Sequence, residues 1–271
     1  QDPQVSLTTP ADGTKAVFPA NLTVTASVVP HGHAIANVKL YANTTKLFDG
    51  ALPPYSGTWN ALPAGTYAVK AIVTYDTDKT VESAVSNVKV VVAPVAQNGT
   101  LAATEDIPAK GTLVATAGVG TALTYVVASQ PPHGTVAITN AATGAYTYTP
   151  DLDFSGSDAF TFQACTADQI YSNAGAVTIT VAPVNDAPVA APSSISLDED
   201  TVFSGALAVT DADGDATAVS LEALPANGTV VIVDPATGAY TYTPQSHWHG
   251  ADSFSFKAND GKLNSGIATV T

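Results

Sequence analysis

Short runs of alternating apolar and polar side chains fill the chain, among them Leu22-Thr23-Val24-Thr25-Ala26-Ser27-Val28, Val38-Lys39-Leu40-Tyr41 and Tyr67-Ala68-Val69-Lys70-Ala71-Ile72-Val73. A period of two puts every second side chain on one face, so each run predicts a strand with one side buried. Asp-Gly, Pro-Ala and Pro-Ala-Gly steps punctuate the runs, and those residues supply turns. No stretch has a helical period. The pattern predicts an all-β chain of antiparallel sandwiches joined in tandem.

The same grammar is written twice in the second and third thirds of the chain. Thr143-Gly144-Ala145-Tyr146-Thr147-Tyr148-Thr149-Pro150 recurs letter for letter 94 residues later as Thr237 to Pro244. One offset also pairs Glu105-Asp106 with Glu199-Asp200, Gly134-Thr135-Val136 with Gly228-Thr229-Val230, Phe154 with Trp248, Asp158 with Asp252, and Phe160 and Phe162 with Phe254 and Phe256. That many matches mark a tandem repeat. Beyond Phe162 the first copy is expected to carry three extra residues near Asp168, which aligns the last strand, Ala268 to Thr271, with Val177 to Thr180. Three domains are expected, at 1–93, 94–183 and 184–271, each long enough for its own sandwich core. In both copies the tyrosines of Tyr146/Tyr148 and Tyr240/Tyr242 share a strand face, and a core or cross-strand role is expected of them.

Charge changes the picture. The 271 residues carry 23 acids against 9 bases, for a formal charge of −14. Such a field repels nucleic acid and anionic membrane surfaces and attracts divalent cations. No apolar run approaches the length of a membrane span. The chain begins at Gln1 and contains no methionine, which fits a processed, exported polypeptide. Cys165, the single cysteine, has no internal partner for a disulfide and is expected to be an inert buried thiol.

The acids are concentrated in Thr210-Asp211-Ala212-Asp213-Gly214-Asp215, where three carboxylates in five residues suit a hard cation. At the equivalent place the first copy has Thr116-Ala117-Gly118-Val119-Gly120-Thr121, with every acid replaced. Counted from Asp211, an EF-hand loop would take Asp213, Asp215 and Glu222, but its sixth position is Ala216 instead of glycine and its flanks read as strands. His247-Trp248-His249 puts two imidazoles on one face of an expected strand, two ligands where zinc needs more, and a structural loop is the simpler reading. His31-Gly32-His33 reads as a turn. Four Asn-x-Thr sequons, at Asn21, Asn43, Asn98 and Asn227, arise readily by chance in a Thr-rich chain. No nucleophile elbow, zincin motif or phosphate loop is present, so no enzyme and no catalytic residue is expected.

The first domain, through Pro10-Ala11-Asp12-Gly13, Pro54-Tyr55-Ser56-Gly57-Thr58-Trp59 and Leu62-Pro63-Ala64-Gly65-Thr66-Tyr67, resembles bacterial Ig-like domains of secreted and surface proteins. The two copies, through Asn185-Asp186-Ala187-Pro188, Glu199-Asp200-Thr201, the Asp211 to Asp215 run and Ala258-Asn259-Asp260-Gly261, resemble the cadherin-like repeats of bacterial adhesin-type proteins. That resemblance implies calcium between successive domains. Its ligands would be Asn185 and Asp186 from the linker, Asp211, Asp213 and Asp260 from the following domain, and Glu105 with Asp151 or Asp153 from the preceding one. At the other junction the matching positions are Val91, Val92, Ala117, Val119 and Thr166, so calcium is expected at one junction only.

The resulting expectation is a non-enzymatic extracellular structural or adhesive rod of a bacterial surface protein or filament. A carbohydrate-binding accessory region of a secreted polysaccharide-degrading enzyme is the alternative, with glycans as partners and Trp59, Trp248 and some tyrosines as the aromatics. The short last strand fits the trimmed end of a longer polypeptide; the alternative is that copies of the chain join head to tail through the extended start, Gln1 to Thr8.

Overall fold

The computed structural model describes residues 1–271, and every regular element in it is a strand. No helix is long and apolar enough to cross a membrane. Three separate clusters of buried apolar side chains follow one another along the chain, the first built from Val5 to Val90, the second from Ala96 to Val181 and the third from Leu207 to Val270.

In the first unit the alternating runs form the strands Ala20–Val29, Ile35–Ala42 and Gly65–Tyr75, and their inward sets, such as Val24, Val38, Leu40, Val69 and Val73, are fully buried. One sheet orders Gln4–Thr9, Ala20–Val29 and Tyr55–Leu62; the other is built on Gly65–Tyr75. Gln4–Thr9 pairs antiparallel along Ala20–Val29, with Val5 in the core. The extended start is therefore already a member of its own sheet, and donating it to another molecule requires pulling it out.

The second unit faces a four-stranded sheet, Gly99–Thr104, Gly175–Ala182, Gly156–Thr166 and Leu123–Ser129, against a three-stranded one, Ala109–Thr112, Ala145–Pro150 and Gly134–Asn140. The sandwiches are not purely antiparallel. Thr14–Val17 runs parallel to Ser86–Val91, and Gly99–Thr104 parallel to Gly175–Ala182, because in each case the first strand closes the sheet beside the last. Alternation alone does not distinguish the two directions.

The repeated octapeptide makes the same hairpin twice. Gly144 and Gly238 sit at φ 74° and 70°, and a Cβ on either would come within 2.7 Å of the Leu113 carbonyl oxygen and 2.6 Å of that of Leu207. Only glycine fits there. The four tyrosines lie in the cores as expected, and each second ring has a carboxylate anchor, buried at Asp158 and partly buried at Asp252. The Tyr148 hydroxyl donates to Asp158 at 2.9 Å, and Tyr242 to Asp252 at 2.9 Å. Burial, with the neighbouring carboxylate, pushes Tyr242 up to about 12 and Tyr148 up as well. Asp252 also accepts from the backbone N–H groups of Ala226, Asn227 and Ser253, which explains why an acid recurs at this offset in an apolar setting.

The third unit shows a register that letter matching misses. Ser172 Oγ accepts from Ala164 N and Ser265 Oγ from Ala258 N, each at 2.9 Å, so the first copy carries one extra residue here, not three. Phe160 pairs with Val177 and Phe254 with Val270. Val270 thus holds the place of Val177, and Thr271 that of Thr178.

Cys165 is buried, as expected. His247 to His249 lies in a turn, with His247 at φ 59° and its Nδ1 3.2 Å from Asp200, so the two imidazoles do not share a strand face. Strand Ala218–Ala223 follows the acidic loop, which removes the EF-hand geometry.

Candidate metal centre between the second and third units

Five carboxylates converge where residues 183–186 lead from one sandwich to the next. One oxygen each from Glu105, Asp186 and Asp213 lie within 4.8 Å of one another, and so do one each from Asp106, Asp153 and Asp186. A hard cation about 2.4 Å from each oxygen spaces its ligands up to about 4.8 Å apart, so either triad has the dimensions of a cation site. Asp186 belongs to both.

Each acid is placed by its local backbone. Glu105 follows Gly99–Thr104, its N–H extends the ladder to Ala182 O at 3.0 Å, and its carboxylate accepts the Val184 N–H. The chain thereby folds over it, leaving Glu105 only 2% exposed. Asp106 and Asp153 both adopt left-handed conformations, φ 59° and 56°, which aspartate tolerates better than most residues. Asp106 Oδ1 accepts the Asp153 N–H at 3.1 Å, drawing two distant loops together.

From the third unit, Asp213 Oδ2 accepts the Asp186 N–H at 2.8 Å. Asp211 holds the loop's shape through Oδ1, which accepts from Asp213 N and Asp215 N at 3.1 Å each, while its Oδ2 is buried without a partner. Asp260 is occupied with the linker: Oδ1 accepts from Lys262 N and Leu263 N, and Oδ2 from Asn185 Nδ2 at 2.8 Å. Those donors, first the Leu263 N–H and then Asn185, hold its carboxyl down at about 2. The Lys262 ammonium caps Asn185 Oδ1 at 2.6 Å and reaches Asp215.

Of the residues expected from the sequence, Glu105, Asp153, Asp186 and Asp213 meet in the triads. Asn185, Asp211 and Asp260 lie beside them as supports, and Asp151 lies outside both groups. Asp106 is the candidate ligand that the sequence pattern alone does not single out. Its signal lies in the pair Glu105-Asp106, which recurs as Glu199-Asp200.

The electrostatics of the cluster are unbalanced. None of the five acids is ion-paired with a lysine or histidine. Asp186 Oδ2 is buried without a hydrogen-bond partner. Desolvation, then the charges of Asp153, Asp106, Asp213 and Glu105, push the Asp186 carboxyl above the usual carboxylate range. An uncompensated buried oxygen among like charges is costly unless something positive joins it.

The junction between the first and second units is built from the opposite materials. Asp168, on the hairpin tip of the second unit, accepts from Lys89 and lies 3.0 Å from Lys15 Nζ, both lysines belonging to the first. These ammonium groups hold its carboxyl below the ordinary value. Fixed cations of the protein thus neutralise the acid at this junction, whereas the five acids of the other have no lysine or histidine partner. Asp168→Asn is expected to widen the distribution of angles between the first and second units in small-angle scattering, and raising salt to about 0.5 M should do the same to the unaltered chain, since it screens exposed pairs. Identical scattering in all three conditions would show that the clamp does not hold the units.

Family models agree with this architecture. A bacterial Ig domain model matches residues 92–180 and again 185–271, and a second bacterial Ig domain model matches residues 3–71. No curated protein matches the chain. Among solved structures, fibronectin(III)-like modules of Clostridium thermocellum CbhA are 19% identical with a TM-score of 0.39, covering 66% of this chain and 95% of theirs. Drosophila N-cadherin EC1-4 is 16% identical with a TM-score of 0.40, covering 99% and 75%. An endo-fucoidan hydrolase of glycoside hydrolase family 107, MfFcnA4, is 18% identical with a TM-score of 0.32, and this chain spans 44% of its length. Bacterial Ig domains are typically non-catalytic modules, common in surface and secreted proteins. With models matched along most of its length and three β-sandwich cores in series, the chain belongs to the bacterial Ig domain family.

Proposed function

We propose that the protein is a non-enzymatic structural rod of a bacterial surface protein or filament, in which calcium locks the second and third units together. The observation that carries this reading is Asp186, a linker carboxylate shared by two triads drawn from both flanking units, with one oxygen buried and unpartnered. Calcium suits an all-oxygen, carboxylate-rich site, and extracellular modules bind it with dissociation constants of about 10⁻⁴–10⁻³ M. Ligands contributed by two bodies couple binding to their relative orientation, so the ion stiffens the junction by as much as it prefers the docked arrangement.

The aromatics fit this reading better than a sugar-binding one. Tyr146, Tyr148, Tyr240 and Tyr242 are consumed by the cores, and Trp59 packs edge-on against Tyr67 at 4.9 Å. The test is scattering with calcium and with chelator on the unaltered chain and on Asp211→Ala/Asp213→Ala. Stiffening confined to the second junction and lost in the variant supports the proposal; an equal response in the variant refutes it.

The raised Asp186 value sets a pH dependence. A carboxyl whose native pKa lies above its unfolded value binds its proton more tightly when folded, so without calcium the penalty is present at neutral pH and is relieved as pH falls through the raised value. Calcium competes with that proton. Its affinity is therefore expected to decline on mild acidification before an ordinary aspartate would titrate, as read by calorimetric titration at stepped pH, whereas an affinity flat down to the ordinary carboxylate range would remove Asp186 from the site.

A further inference from the structure

Tension along a row of sandwiches enters each unit near its first strand and leaves near its last, so the contact between those strands decides how the unit yields. In the second unit they are neighbours. Gly99–Thr104 lies parallel to Gly175–Ala182 with six partners in register, from Gly99 with Val177 to Thr104 with Ala182. The chain reaches Gly99 from the first unit and leaves Ala182 for the third, so stretching it slides the two strands along each other in opposite directions. Every rung of the ladder is then strained at once, whereas strands parted from one end separate rung by rung.

Side chains lengthen the ladder at both ends. Before it, Asn98 Oδ1 accepts the Ala176 N–H at 2.9 Å, and the Asn173 amide takes both backbone groups of Ala96, accepting from N at 3.0 Å and donating to O at 3.2 Å. Beyond it, the Glu105 N–H donates to Ala182 O at 3.0 Å and the Glu105 carboxylate accepts the Val184 N–H. Rungs thus run from Ala96 to Glu105 on one side and from Asn173 to Val184 on the other. The two asparagine rungs are not repeated in the third unit, where Asn98 aligns with Pro192 and Asn173, in the Ser172–Ser265 register, with Gly266. In the first unit the parallel contact, Thr14–Val17 on Ser86–Val91, has four partners. Beneath the six-partner ladder Val177, Ile179 and Val181 are buried in the core, so sliding also drags apolar side chains out of their packing.

We propose that the second unit is a tension-resisting element: its first and last strands form a shear ladder, extended by Asn98, Asn173 and Glu105, that withstands pulling along the chain and yields easily to pulling across it. Forced unfolding is governed by the unfolding rate and hence by the barrier, not by equilibrium stability. A rung that must break before the barrier is crossed therefore changes that rate by roughly two- to tenfold, the worth of one hydrogen bond. This inference rests on the reading of the chain as a rod and is independent of the calcium lock, so its test is run in chelator.

The test is single-molecule force spectroscopy on the whole chain with handles on introduced cysteines. Val92→Cys with Val184→Cys loads the ladder lengthwise, and Val95→Cys with Ala174→Cys loads it from one end; all four positions are exposed, and the native Cys165 is buried. Lengthwise pulling is expected to require a much higher force than pulling from one end. Asn98→Ala and Asn173→Ala should each speed lengthwise unfolding by roughly two- to tenfold and narrow the gap between the two directions. Equal forces in the two directions overturn the proposal, as do asparagine variants that leave lengthwise unfolding unchanged or weaken both directions alike. Should the variants fail to fold, the two directions compared on the chain with its asparagines decide.

Discussion

Replacing Asp186 by alanine is expected to abolish the calcium response of the second junction while leaving all three sandwiches folded. Asp186 is common to both triads, so its loss removes a ligand from each at once, whereas loss of Asp106 or Asp213 empties one triad of one oxygen. Removing one charged ligand from an extracellular-type site should lower affinity by roughly tenfold or more. Removing the shared one leaves Glu105 with Asp213, and Asp106 with Asp153, too few donors for a cation that takes six to eight oxygens. The folds survive because Asp186 belongs to no strand and no core cluster. Scattering should show the variant as broad in calcium as the unaltered chain is in chelator, and calorimetry should show no heat. Retained high-affinity binding would mean that the ion sits elsewhere, and unfolding of either neighbour would mean that Asp186 is a structural residue.

Phe256→Ala is expected to destabilise the third unit by about 3–5 kcal/mol and leave the other two unmoved. Phe256 is fully buried in a cluster of 10 residues, the smallest of the three cores. Truncating a buried phenylalanine loses its transfer free energy and leaves a cavity that the surroundings only partly fill. Stability of a domain this size is itself about 5–15 kcal/mol, so the loss is a large share of it. Because each cluster is closed on itself, the damage should stay local. Calorimetry should show one transition shifted down and the rest in place. A common shift of all transitions would mean that the units unfold together, and a shift equivalent to less than about 1 kcal/mol would mean that the site repacks around the loss.

The strand elements were legible because burial in a sheet imposes a period of two, and Leu22 to Val28 or Tyr67 to Val73 keep it without interruption. The tandem repeat was legible because identical turns need identical residues: Gly144 and Gly238 admit no side chain. The asymmetry between the two junctions was also visible, since a carboxylate and an alanine differ in the letters themselves. The acids that would meet were visible only in part, because meeting depends on distance in space.

Asp106 reaches the cluster because its carboxylate holds the Asp153 backbone 47 residues away, and Asp260 stays out of it because the Leu263 and Lys262 N–H groups and Asn185 already claim its oxygens. Lys15 and Lys89 read as ordinary surface charges until folding sets them on either side of Asp168. The last strand's register turned on the Ser265 hydroxyl bonded to Ala258, not on the letter alignment of Ala268 to Thr271 with Val177 to Thr180. The sequence by itself determined the strands, the repeat and the one acidic junction, because these follow from local periodicity and residue type. Only the tertiary structure decided which carboxylates share a cation-sized space and which are spent on backbone donors, because those depend on hydrogen bonds between residues far apart in the chain.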